Sequence, residues 1–144
     1  MVLKFIDIDS KYFEQATDLR ISAFFQNTTN PVVLINDLDE EKSFHLAAID
    51  NGVVVGIGRL TYKSNRAVIS QMAVAENVQR AGLGSEILRV LIQKSKEQKY
   101  SEVFLSAREK AIIFYQRYGF KVIGKKYPSK KTGIIHVDMI KTII

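Results

Sequence analysis

A chain of 144 residues, 47% hydrophobic and 25% charged, is long enough to bury a substantial core and lies far from the composition of a disordered segment. It has no cysteine, which excludes disulfides, thiol catalysis and cysteine-ligated metal sites. The net charge of +6 permits polyanion binding, but the lysines and arginines are scattered, with clusters only over 94–99 and 121–131, and no nucleic-acid-binding motif accompanies them.

In chain order, Val2 to Ile8 alternates apolar and polar residues as a half-buried strand does. Ser10 is placed to cap a helix whose stripe is Phe13, Ala16, Leu19 and Ala23. A polar break over Asn27 to Pro31 precedes a second short helix, Val32 to Leu38. The run Asp37-Leu38-Asp39-Glu40-Glu41-Lys42 then reads as a solvated connector, with attraction of a cationic amine as the alternative. Phe44 to Ile49 and Val53 to Leu60 read as strands joined at Asp50-Asn51-Gly52, a tight-hairpin signal. Asn65 marks the next turn, and Ala67 to Val74 a third antiparallel strand. Gly82 to about Gln98 is the strongest helix pattern, with Leu83, Ile87, Leu88, Leu91 and Ile92 on one face. Strand Glu102 to Ala107, helix Glu109 to Tyr118, strand Phe120 to Lys125, loop Lys126 to Gly133 and strand Ile134 to Ile140 complete the order β-α-α-β-β-β-α-β-α-β-β. No repeat, low-complexity tract or second domain interrupts it, so a single domain over residues 1–144 is expected.

The segment Gln79-Arg80-Ala81-Gly82-Leu83-Gly84-Ser85 joins the strand Ala67 to Val74 to the strongest helix. Two glycines around one residue at a helix start expose backbone N–H groups at the positive end of the helix dipole, which makes an anion site. No carboxylate lies between Asn77 and Ser85, and Arg80 adds positive charge, so a diphosphate is the natural ligand. No Walker loop is present. Gly56-Ile57-Gly58 comes nearest to a dinucleotide fingerprint, but Thr61 stands in the third glycine position and no helical pattern follows. Further on, Ala111, Phe114, Tyr115 and Tyr118 recur at helical spacing, and Gly119 stands where a helix C-cap belongs.

These two blocks together resemble the GNAT acetyltransferases. The first matches their Gln/Arg-x-x-Gly-x-Gly/Ala loop, preceded by strand residues Met72-Ala73-Val74. The second, Ala111 to Phe120 with Phe114, Tyr115, Gly119 and Phe120 in register, matches their Ala-x-x-Phe-Tyr-x-x-x-Gly-Phe pattern. The resemblance covers nearly the whole chain. It implies an α/β (α+β mixed-sheet) acyl-CoA N-acyltransferase fold: a mostly antiparallel sheet of six to seven strands, splayed at one parallel pair and flanked by about four helices.

The resemblance also implies acetyl-CoA as co-substrate, without a metal, and direct transfer of acetyl to a primary amine in a ternary complex. Met72, Ala73 and Val74 would lie along the pantetheine arm. A backbone N–H, that of Met72 first, would polarise the thioester carbonyl. Gln79, Arg80, Ala81, Gly82, Leu83, Gly84 and Ser85 would wrap the diphosphate, and Phe114 would belong to the same cofactor site. Tyr115 would protonate the departing thiolate. Many relatives carry asparagine three residues before the helix alanine, to contact pantetheine; Arg108 stands there here, able to reach a carbonyl or phosphate of coenzyme A.

The strand Ala67-Val68-Ile69-Ser70-Gln71-Met72 offers neither carboxylate nor imidazole as a general base. Proton removal through water is therefore expected, with His136 the leading side-chain candidate and substrate contact, because imidazole titrates near neutrality. In this family the acceptor pocket is built by the first two helices and the loop between the last two strands, here about 24–39 and 126–133. A small-molecule or peptide amine is the expected partner, with neither nucleic acid nor membrane. A homodimer through sheet edges is one expected assembly. A non-catalytic acyl-CoA-binding module on the same scaffold is the alternative reading. No apolar run approaches the ~20 residues that span a bilayer, and residues 1–9 lack the layout of a signal peptide, so a cytoplasmic location is expected.

Overall fold

The computed structural model describes the backbone of all 144 residues and the side chains of all but residues 79–81. Seven strands form one open sheet in the order β1-β2-β3-β4-β5-β7-β6. They are β1 (Val2–Ile6), β2 (Phe44–Asp50), β3 (Val53–Lys63), β4 (Arg66–Val74), β5 (Glu102–Arg108), β6 (Lys121–Pro128) and β7 (Ile135–Thr142). Every neighbouring pair is antiparallel except β4 and β5. The helices are α1 (Phe13–Arg20), α2 (Pro31–Ile35), α3 (Leu83–Glu97) and α4 (Ile112–Arg117). The expected splayed, mostly antiparallel sheet with four helices is what the chain adopts.

The two hairpins follow their turn chemistry. Asn51 and Gly52 both adopt positive φ (49° and 79°), as do Ser64 and Asn65 (52° and 60°), which matches the turn twist to that of the strands. Several element ends differ from expectation. Ser10 does not cap α1; its hydroxyl accepts the Tyr12 N–H in the preceding turn, and the helix starts three residues later. α1 continues into a π-type turn over Ile21–Phe25, and α2 stops at Ile35 rather than Leu38. β6 runs on to Pro128, which shortens the expected loop, and Glu109–Ala111 is a 3-10 turn ahead of α4.

The two faces of the sheet differ. Leu46, Leu60, Ile69, Val103, Leu105 and Met139 pack with Ile87, Leu88 and Leu91 of α3 in the larger core. Ala47, Ile49, Val54 and Ile57 pack with Ala16 of α1 in the smaller one. α3 lies close on β3 because Gly56 and Gly58 offer no side chain. A Cβ at Gly58 would fall 2.8 Å from Leu91 Cδ1 and 2.9 Å from Ile87 Cγ2. The glycine pair that came nearest to a nucleotide fingerprint is thus a packing device. Gly58→Ala is expected to cost about 1–3 kcal/mol through overpacking, read as a lower midpoint in urea unfolding.

The connector over residues 37–42 is not a solvated run. Glu40 is only 4% exposed, and Arg20 and Arg59 are 2% and 5% exposed. Glu40 accepts both Arg20 Nη1 and Nη2, at 2.8 and 2.7 Å, and Arg59 Nη1 at 3.3 Å. Asp37 takes Arg59 through two bonds, at 3.0 and 3.1 Å, and Lys131 at 2.7 Å. Two cations on apolar faces of α1 and β3 need buried anions, and this connector supplies them. These carboxylates are therefore already committed, and neither Asp37 nor Glu40 is left to recruit a cationic amine.

Burial pushes Asp37 up, but bonds to Arg59 and Lys131 outweigh it and hold the group at about 2. Burial likewise raises Glu40, and Arg20, His45 and Arg59 together bring it below the ordinary carboxylate range. Because both are more acidic folded than unfolded, the unfolded chain takes up their protons first. Their contribution is complete above about pH 5 and is lost as pH falls toward 2. Burial depresses His45 below its ordinary 6.5, so its contribution to stability begins to fall as pH drops through that value. Urea midpoints measured from pH 7 to pH 3 are expected to fall throughout, and to fall less steeply below pH 5 in Asp37→Asn.

Candidate functional site

β4 and β5 pair only over Ala67–Ile69 with Val103–Leu105. Beyond those three rungs Ser70–Val74 and Ser106–Arg108 diverge, each still paired on its outer side with β3 or β7. A bulge accompanies the divergence. Ile57 opposes Ala73 and Arg59 opposes Ser70, so Gln71 and Met72 together face Gly58. Gln71 takes φ 51°, a left-handed conformation unusual for a non-glycine residue.

The buried ion network holds this bulge. Arg20 Nη1 donates to Gln71 Oε1 at 2.9 Å, and Arg59 Nε donates to Ser70 Oγ at 2.9 Å. Past the bulge, Ala75 N–H bonds Val55 O on β3. Ala73 opposite Ile57 and Ala75 bonded to Val55 fix the side of β4 that faces β3, so the peptide groups of Val74 between them turn away from β3. The side chains of Met72 and Val74 lie against the larger core, and Ala73 against the smaller.

α3 begins above this gap, after a 3-10 turn over Glu76–Ala81. Gly82 is its N-cap, with φ 75°; no side chain caps the helix, and nothing lies within 4 Å of a Cβ placed there. Among the described residues, the first amides of α3 thus have no capping side chain. Leu83 is buried in the core, so only its main chain remains for a ligand. The side chains of Gln79, Arg80 and Ala81 lie outside the described residues.

α4 brings the second sequence block onto the first. The Phe114 ring lies 3.6 Å from the Cβ position of Gly84, and the Tyr118 hydroxyl is hydrogen-bonded to Ser85 Oγ. Tyr118 was not distinguished in the sequence from an ordinary packing aromatic. Tyr115 sits edge-on to Phe114 and Phe120, with centroids at 5.1 and 5.8 Å. Its hydroxyl has no hydrogen-bond partner among the described residues, and burial pushes the phenol up to about 12. The residue is half-buried, and its hydroxyl is not among the fully shielded unbonded atoms, so the protonated donor stays open to a ligand.

On the α1 side of the gap the ends of β5 and β7 carry polar groups. Tyr127 donates to Asp138 at 2.5 Å and is hydrogen-bonded to Ser106. Sequence reading missed this trio because its members come from three strands. His136 opposes Arg108 on β5 and Tyr127 on β6, and its Nδ1 lies 2.8 Å from Ile134 O. With Nδ1 as donor to that carbonyl, Nε2 is the acceptor. Arg108 points into an open cleft of about 370 Å³ between the segment after α1 and the β6–β7 loop, with its guanidinium 5.0 Å from the Phe24 ring centre. This cleft joins two of the variable segments expected to receive an acceptor. No helix of the described residues is long and apolar enough to cross a membrane.

Comparison with known proteins gives the same picture. Residues 10–143 match the acetyltransferase (GNAT) domain family. An uncharacterized N-acetyltransferase of Bacillus subtilis, YjcF, is 27% identical over 135 residues, covering 92% of this chain and 96% of its own. An acyl-CoA N-acyltransferase from Pseudomonas aeruginosa superposes with a TM-score of 0.82 at 22% identity, over 99% of this chain and 100% of its own. An aminoglycoside 6'-N-acetyltransferase complexed with coenzyme A superposes with a TM-score of 0.82 at 15% identity, over 100% and 98%.

Proposed function

The chain belongs to the GNAT acetyltransferase family, and from that premise we propose that it moves acetyl from acetyl-CoA to a primary amine while both are bound. The observation that carries this reading is the early end of β4–β5 pairing beneath an uncapped, glycine-started helix. The residues fit such a donor. Gly82 leaves the helix start open, the edge of β4 offers main-chain groups for an extended arm, and Tyr115 keeps a protonated hydroxyl that bonds no described residue. The likeness to a coenzyme A complex supports the same choice of donor.

When bound, acetyl-CoA supplies an activated carbonyl and a thiolate leaving group. The amides of Gly82, Leu83, Gly84 and Ser85, with the turn at 79–81, bind the diphosphate at the positive helix end. Met72 N–H donates to the carbonyl oxygen as negative charge grows there, an effect typically worth about 3 kcal/mol per donor. The Arg20–Gln71 bond keeps that amide aimed by fixing the bulge. Tyr115 gives its proton to the departing sulfur. His136 Nε2, with water, takes the proton that the attacking amine must lose.

The test is thiol release from saturating acetyl-CoA in the presence of amine classes: polyamines, aminoglycosides, amino acids and peptide N-termini. Amine-dependent release with at least one class is expected. Coenzyme A binding without release by any class would favour a non-catalytic acyl-CoA module.

A further inference from the structure

Arg108 is a half-buried cation with no counterion among the described residues. It makes no hydrogen bond or ion pair with any described residue, and its Nε is fully shielded from solvent and unbonded. The carboxylates nearest in sequence or across the sheet are taken: Glu109 by Lys126 at 2.8 Å, Asp138 by Tyr127 at 2.5 Å, and Asp37 by Arg59 and Lys131. A guanidinium carries five donors in a planar fork and stays charged in proteins, so leaving it desolvated and unbonded is costly. Here the Phe24 ring lies close to the guanidinium, where cation–π attraction helps to hold it.

The cleft beside it carries no acid. Beside Arg108, its polar wall is Ser22, Gln26, Asn27, Thr28 and Thr132, all neutral. Arg108 stands three residues beyond the last β4–β5 rung, Leu105, and on the opposite face of β5 from Ala107, which packs in the larger core. It therefore faces the acceptor side of the sheet rather than the side on which α3 and α4 lie.

We propose that this cleft selects acceptors carrying a carboxylate as well as the amine, and that Arg108 binds that carboxylate through its guanidinium fork. This rests on acetyl transfer to an amine as proposed above. An anion is the complement that an unpaired, partly desolvated guanidinium lacks, and a carboxylate matches its two-pronged geometry. Arg108 then fixes one end of the acceptor and leaves its amine to reach the gap between β4 and β5.

The test is initial rates and ligand-observed NMR binding with matched pairs: α- and ω-amino acids against their amides, and O-phosphoethanolamine against ethanolamine. The expected result is at least a tenfold preference in kcat/KM for the carboxylate members, mostly through KM, matched in binding. Arg108→Gln should bring each amino acid within about twofold of its amide, and Arg108→Lys should restore part of the preference. Equal use of both members by the unaltered protein overturns the proposal, as does a preference confined to the phosphate pair. So does an intact preference in Arg108→Gln accompanied by a tenfold loss of coenzyme A affinity, which would place the guanidinium on the donor. If no amino acid or amide binds or reacts, the proposal also fails; thiol release with polyamines or aminoglycosides would then leave acetyl transfer standing.

Discussion

Tyr115→Phe is expected to lower kcat at least tenfold while leaving the melting temperature and coenzyme A affinity close to those of the unaltered protein. The ring's packing against Phe114 and Phe120 survives the change, because only the hydroxyl is lost and that hydroxyl bonds no described residue. What disappears is the proton donor for the leaving sulfur, a loss that removes about 10²–10⁴ of general-acid catalysis. The phenol sits at about 12, so it stays protonated throughout neutral and mildly alkaline pH. Deprotonation of Tyr115 therefore imposes no fall in rate below about pH 11. A Tyr115→Phe variant of undiminished kcat would remove the residue from the reaction, as would an alkaline limb near pH 9 that vanishes in that variant.

Glu40→Ala is expected to produce the largest loss of stability, about 3–5 kcal/mol, the usual cost of removing one partner from a buried ion pair. Its carboxylate answers Arg20 completely and Arg59 in part, and both guanidiniums are almost wholly shielded from water. For a chain of this length the shift in melting temperature is on the order of 10 °C. Activity should fall further than the folded fraction does, because Arg20 also holds Gln71 in the bulge that aims Met72. Glu40→Gln, which keeps shape and one acceptor oxygen, should lie between. Chemical denaturation alongside kcat separates the two effects, and a Glu40→Ala variant as stable as the unaltered protein would contradict the role assigned to this network.

The architecture was legible from local signals. Asn51-Gly52 requires the mirror-image turn that it adopts, and Gly119, at φ 88°, ends α4 as expected. The block from Ala111 to Phe120 and the turn at 82–85 meet through Phe114 against Gly84 and Tyr118 against Ser85. The bulge was not legible, because Gln71 carries no glycine signal and its left-handed backbone is held by an arginine 51 residues earlier. Nor was the ion network, whose members are about 20 residues apart. A signal existed: Arg20 falls four residues after Ala16 on the apolar stripe of α1, and Arg59 interrupts an otherwise apolar strand. Two cations on core faces demand buried acids, and the 37–42 run supplies them. Arg108 stands three residues before the helix alanine of the motif, and the pleat puts its side chain on the face of β5 opposite Ala107.

Amide chemical-shift mapping of isotope-labelled protein titrated with coenzyme A tests the central claim most directly. The largest perturbations should fall on the amides of Met72, Val74 and Gly82 to Ser85, with smaller ones at Phe114 and Tyr115. A saturating titration that leaves those amides unmoved, or that shifts only residues on the far edge around β1 and β2, would contradict it.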